Sequence, residues 1–180
     1  MTMTPRLRKF ALTLHVTSSV GWIGAVFSSL ALGVVGLTSQ DKQLVRSVYL
    51  AMVPLGWYVL FPLSLASLMT GLVVSLGTRW GLFRHYWVVV KLLVNVIGSI
   101  VLLLYMQTLD YLADVAANGD LSGLRSPTAV VHAGGAVVLL LGATTLSVYK
   151  PRGLTRHGRR KQDEQPTVSE RGGRGLVPAA

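Results

Sequence analysis

Four long stretches of the chain carry almost no charge, and each is long enough to cross a membrane as a helix. They cover residues 10–37, 48–77, 86–109 and 127–149, and Lys91 is the one Lys, Arg, Asp or Glu residue within them. A helix of about 20 apolar residues spans a hydrocarbon core of roughly 30 Å. The stretches are apolar all round, without the alternation of a membrane-spanning strand. The sequence therefore predicts an all-α, integral membrane protein with four spans.

Short connections make consecutive spans antiparallel neighbours, so we expect an up-down-up-down four-helix bundle. This transmembrane domain covers residues 10–150 and follows a short segment, residues 1–9. From residue 151 to residue 180 the composition changes to Arg, Gly, Gln, Glu and Pro, which cannot bury a core and predicts a disordered tail. The chain contains no cysteine, which excludes disulfides, thiolate metal sites and cysteine catalysis.

The net charge of +10 is concentrated at one side of the predicted bundle. Basic residues precede the first span, separate the second from the third and follow the fourth, at Arg6, Arg8, Lys9, Arg79, Arg84, Lys150, Arg152, Arg156, Arg159, Arg160 and Lys161. The positive-inside rule then places both termini in the cytoplasm. We expect the tail to contact anionic lipid head groups, at about 1 kcal/mol for each basic residue. It lacks a recognition fold, so we expect no nucleic-acid partner.

Small residues recur every fourth position on two spans. They are Gly21, Ala25, Ser29 and Gly33 on the first span, and Ser67, Gly71 and Ser75 on the second. Such rows allow two helix backbones to approach closely, either inside the bundle or across a homo-oligomer interface. Pro54 and Pro62 predict a bend in the second span, with Ser64 or neighbouring helices contacting the freed carbonyl groups.

Polar side chains within the spans are costly and often mark function. His15 and His85 fall in the half of the membrane nearer the termini, where two imidazoles would hold a haem b iron or a copper ion. Met69 lies at a similar depth, and Lys91 would pair with a haem propionate. The alternative is that His85 lies at the interface and Lys91 directs its ammonium group to the surface. Trp22, near the middle of the membrane, would line a cavity for this cofactor or pack in the core.

A second set of potential ligands lies nearer the opposite surface. Met52, Met106 and His132 carry the thioether and imidazole groups that suit Cu(I). The alternative is that the methionines fill gaps in an apolar core and His132 forms a hydrogen bond to a neighbouring helix. His132 and His15 are separated by about 15 Å along the membrane normal, at about 1.5 Å per helical residue. The two sets are therefore not expected to share one metal.

The spans contain none of the common catalytic patterns. Paired carboxylates, a serine with an adjacent histidine and acid, and a His-x-x-x-His zinc motif are all missing from them. We do not expect enzymatic activity other than electron transfer.

Short segments of the chain resemble two known families. His15, Trp22 and Gly24 form an H-x6-W-x-G pattern, and residues 90–93 read Val-Lys-Leu-Leu. This combination resembles the membrane domain of CopD-type copper resistance proteins. Residues 14–22, 81–91 and 147–156 are similar to a family of uncharacterised four-helix integral membrane proteins from actinobacteria. The resemblances imply a bundle in a bacterial plasma membrane and, by analogy, a link to copper.

Two functional hypotheses follow. The first is a multi-pass plasma-membrane protein that binds copper or haem or helps to transport it, from the histidine, methionine and lysine sets. The second is a non-catalytic accessory or assembly subunit of a membrane complex, from the rows of small residues and the basic tail. A small-solute transporter is disfavoured, because a single charge lies within the spans and no repeated pattern of broken helices occurs.

Overall fold

The computed structural model describes residues 3–77, 86–118 and 126–149, which form a helical bundle without a strand in these ranges. The helices are α1 (Pro5–Thr38), α2 (Lys42–Leu55), α3 (Phe61–Leu76), α4 (Tyr86–Asn118) and α5 (Thr128–Tyr149). A π-helical turn, Gly56–Leu60, joins α2 to α3, so that they form one continuous span. Four helical units are long and apolar enough to cross a membrane. The predicted all-α four-helix fold is confirmed.

The helices extend beyond the apolar stretches. Helix α1 begins at Pro5, within residues 1–9, which the hydropathy pattern places before the first span. Helix α4 continues to Asn118, so Asp110 and Asp114 lie on a helix, beyond residue 109, where the predicted third span ends. Hydropathy marks the part of a helix that suits lipid, whereas backbone hydrogen bonding continues into water wherever the residues tolerate it. The carboxylate of Asp41 caps the start of α2 by accepting from the backbone N–H groups of the next turn.

The four spans form a square. Helix α1 packs against α2, α3 and α5, and α4 packs against the same three helices, so α1 and α4 are diagonally opposed. We call the end that contains Pro5, Leu76, Tyr86 and Tyr149 the terminal end, and the opposite end the distal end. This arrangement agrees with the predicted up-down-up-down order.

Apolar side chains fill the distal half of the bundle. We call the larger group the distal cluster, formed mainly by Val45, Val48, Tyr49, Met52, Tyr105, Met106, Leu109 and Leu112. A smaller group, the Trp22 cluster, lies nearer the middle and contains Trp22, Ala25, Val26, Leu60 and Val137. Together they close the interior from mid-bundle to the distal end.

The rows of small residues lie inside the bundle. Gly33 of α1 faces α5, where a Cβ atom at Gly33 would approach the Cβ of Ala129 to 3.3 Å. Gly71 of α3 faces α1, where a Cβ atom would lie 3.1 Å from Cε1 of His15. At these contacts the small residues allow helices of one bundle to approach closely. This is the first of the two interpretations of the small-residue rows, a packing interface, or seam, inside the bundle.

The seam gives a prediction for two glycines of α1. Replacing Gly33 by leucine is expected to destabilise the protein by about 1–3 kcal/mol, because the added carbons would enter the α5 backbone. Gly24→Leu is the matched control, since a Cβ atom there would meet nothing within 4 Å. Denaturant unfolding in detergent micelles measures both. Equal effects of the two substitutions would contradict an α1–α5 seam at Gly33.

Candidate functional site

The site begins with His15, whose half-buried ring is held by a hydrogen bond from α1 to α3. Its Nδ1 lies 3.1 Å from Oγ1 of Thr70. That hydroxyl already donates its single proton to backbone carbonyl groups of α3, at Ala66 and Ser67. Thr70 is therefore placed to accept from His15 in the tautomer that carries the proton on Nδ1, and this tautomer leaves a lone pair on Nε2.

Gly71, which has no side chain, leaves room for the His15 ring to pack against α3. A Cβ atom at Gly71 would lie 3.1 Å from Cε1 and 3.5 Å from Nδ1 of the ring. A side chain at this position would push the imidazole away from Thr70. The glycine of the small-residue row thus also serves to position the histidine.

A chain of hydrogen bonds one turn deeper joins three helices. Oγ of Ser19 on α1 lies 2.9 Å from Oγ of Ser67 on α3, and Nδ2 of Asn95 on α4 donates to the same Ser67 oxygen at 3.3 Å. Hydrogen bonds of this kind hold membrane helices together at about 0.6 kcal/mol each. The chain fixes α1, α3 and α4 at the depth next to His15.

Lys91 directs its ammonium group toward α5 and the terminal end. Its Nζ donates to Oγ of Ser147 at 2.8 Å and lies 5.0 Å from the ring centroid of Trp87, one turn nearer the terminal end. The ring face supplies a cation–π contact. A lysine that extends toward the surface makes contacts of this kind. The sequence analysis gives this orientation as the alternative to pairing with a haem propionate.

Four buried side-chain polar atoms have no hydrogen-bond partner among the described residues: Nε1 of Trp22, Oδ1 of Asn95 and Oγ of Ser99 near mid-bundle, and the hydroxyl oxygen of Tyr105 in the distal cluster. Trp22 is 4 % exposed and Ser99 is 7 % exposed. If the Asn95 amide were turned round, its nitrogen would lack a partner instead. Each such group costs about 1–3 kcal/mol in an apolar interior. Ser99 was not singled out from the sequence, although the spacing of Lys91, Asn95 and Ser99 places the three on one face of α4.

The structure places the residues of the distal set in two different environments. Met52 and Met106 are packed within the distal cluster, and Met106 covers Gly56. His132 is exposed, with Nδ1 2.9 Å from the carbonyl oxygen of Thr128 and its ring stacked on Tyr105 at a centroid distance of 4.1 Å. The described part of the chain holds no group of three His, Cys, Asp or Glu side chains suited to a metal. The two methionines thus make packing contacts in an apolar core, which is the alternative that the sequence analysis gives for them.

The remaining predicted positions divide into two groups. His85, the basic residues from Arg79 to Arg84 and the tail lie outside the described residues, so a His15–His85 pair stays a prediction. Met69 is described, and its side chain is 60 % exposed, on the outer surface of the bundle.

The fold and these contacts define a four-helix bundle of membrane-spanning length, with a polar interior in its terminal half and an apolar interior in its distal half. The chain matches no protein-family model, no curated protein and no solved structure at a significant level. Its function must therefore be inferred from the residues of the site.

Proposed function

We propose that the protein binds haem b in the terminal half of its bundle through Nε2 of His15. The observation that carries this proposal is the hydrogen bond from Nδ1 of His15 to Thr70. Histidines that bind a metal through one ring nitrogen almost always donate a hydrogen bond from the other. A single axial imidazole is sufficient to hold a haem iron.

The surroundings favour haem over copper. Cu(I) needs several soft ligands, whereas Met69 faces outward and Met52 and Met106 lie in the distal cluster. A haem iron requires only one axial imidazole, which His15 offers. Lys91 supplies a cation toward the terminal end. His85 as a second axial ligand, and copper as the bound metal, remain predictions.

We also propose the wider setting given by the sequence. The protein resides in a bacterial plasma membrane with both termini in the cytoplasm, as the distribution of basic residues indicates. The tail contacts anionic lipid head groups, and a homo-oligomer or a complex with other membrane proteins is compatible with this setting. The accessory-subunit hypothesis remains the alternative function.

Haem titration of the protein purified in detergent tests the proposal. Wild-type protein is expected to give a saturable Soret absorption band with one haem per chain. His15→Ala is expected to lose this band, because it removes the axial nitrogen, and added imidazole is expected to restore it in the vacated space. His132→Ala is the control, since that residue lies in the distal half and leaves the site unchanged.

Three results would contradict the proposal. Wild-type protein that binds neither haem nor Cu(I) would refute both cofactors. Saturable Cu(I) binding without haem binding would replace haem by copper. Unchanged haem binding by His15→Ala would show that another residue is the ligand.

A further inference from the structure

The distribution of polar groups along the bundle indicates where water can enter the interior. On α4, Lys91, Asn95 and Ser99 follow one another at four-residue intervals from the terminal end toward the middle, a distance of about 12 Å at 1.5 Å per residue. Ser147 and Ser67 contact the first two of them from α5 and α3. A continuous polar face thus runs inward from the terminal end.

At its inner end this polar face reaches three buried atoms that have no hydrogen-bond partner among the described residues. The Trp22 indole N–H can only donate, the Asn95 carbonyl oxygen can only accept, and the Ser99 hydroxyl can do both. Water can satisfy all three kinds of group and commonly makes about three hydrogen bonds in a protein interior. Neighbouring atoms seal the three atoms from a water-sized space. The half-channel proposed below therefore requires the helices around Trp22 to separate before water can reach them.

The distal half contains the opposite kind of interior. Beyond the level of Trp22, toward the distal end, the side chains are those of the Trp22 cluster and then of the distal cluster. These groups are apolar apart from the hydroxyls of Tyr49 and Tyr105, the second of which is buried without a partner among the described residues, and they fill the space between the helices. Water that enters from the terminal end is therefore stopped at mid-bundle.

We propose that the terminal half of the bundle is an aqueous half-channel that admits water from the terminal end as far as Trp22 and Ser99. Its function is to give protons and small ions access to His15 from one side of the membrane. This inference is independent of haem, since it rests on the polar face, the three partnerless atoms and the apolar closure.

Cysteine accessibility tests the half-channel directly, because the 180 residues of the chain contain no cysteine. Single-cysteine variants in sealed vesicles of either orientation would be treated with a charged, membrane-impermeant methanethiosulfonate. Ser99→Cys is expected to react ~10-fold or more faster than buried or lipid-facing controls, because the thiolate that forms in contact with water is the reactive species. Reaction is expected only from the side that carries the termini.

Two control variants match Ser99→Cys in different ways. Val137→Cys is equally buried, at 9 % exposure of the native residue, but lies in the Trp22 cluster. Val101→Cys lies on the same helix and is 45 % exposed on the outer surface. If Ser99→Cys does not fold, Ser19→Cys, next to Ser67, replaces it. Reaction no faster than in the controls, or reaction from the distal side, would overturn the proposal.

Discussion

Replacing Gly56 by alanine is expected to destabilise the bundle by about 1–3 kcal/mol, through overpacking against Met106. A Cβ atom at Gly56 would lie 2.5 Å from Cε and 2.6 Å from Sδ of this methionine. Met106 is fully buried in the distal cluster, so its side chain has little room to move. Met106→Ala alone is expected to cost about 2–5 kcal/mol, because it leaves a cavity.

The double variant decides whether these two effects have one cause. In Gly56→Ala/Met106→Ala the added methyl group occupies part of the vacated space, so the loss of stability should be smaller than the sum of the single losses. The measurement is the free energy of unfolding in mixed detergent micelles. Additive losses would contradict the close packing of Met106 on the π-helical turn.

The fold was predictable because lipid imposes a simple rule on sequence. Each span must be apolar over about 20 residues, and that signal locates all four spans. The ends of the helices were less predictable, since Asp110 and Asp114 have polar side chains that a helix also accepts outside lipid. The π-helical turn at Gly56–Leu60 was not foreseen, although Pro54 and Pro62 predicted an irregularity in the same span.

The candidate site was predictable in its residue types and not in its contacts. His15, Lys91 and Trp22 stand out in sequence because polar groups are rare within spans. Their partners depend on the rotation and relative height of the helices, which hydropathy does not determine. Thus Thr70 as the partner of His15, and Ser147 as the partner of Lys91, became visible only in the structure.

The division of the interior into two halves constrains what the bundle can do. A continuous pathway for solutes would need polar groups at the distal level as well, yet Met52, Met106 and their neighbours fill that level. The polar face of α4 ends at Ser99, near mid-bundle. The arrangement suits binding from one side better than passage across the membrane, and the sequence likewise disfavours a small-solute transporter.

Thr70→Val is expected to weaken haem binding at His15 by about 10–100-fold, the usual effect of removing a hydrogen bond to a metal-binding histidine. Valine has nearly the shape of threonine but cannot accept the Nδ1 proton, so the ring loses its fixed tautomer and orientation. Haem titration followed by the Soret band measures the change in affinity.

Thr70→Ser is the matched control, because it keeps the hydroxyl group and removes only a methyl group. It should bind haem within a few-fold of wild type, whereas a purely structural role for Thr70 would make the serine and valine variants similar in affinity. The midpoint of unfolding without haem should differ little between the two, since one interhelical hydrogen bond contributes about 0.6 kcal/mol. Equal haem affinity of Thr70→Val and wild type would show that the hydroxyl does not position His15 for the iron.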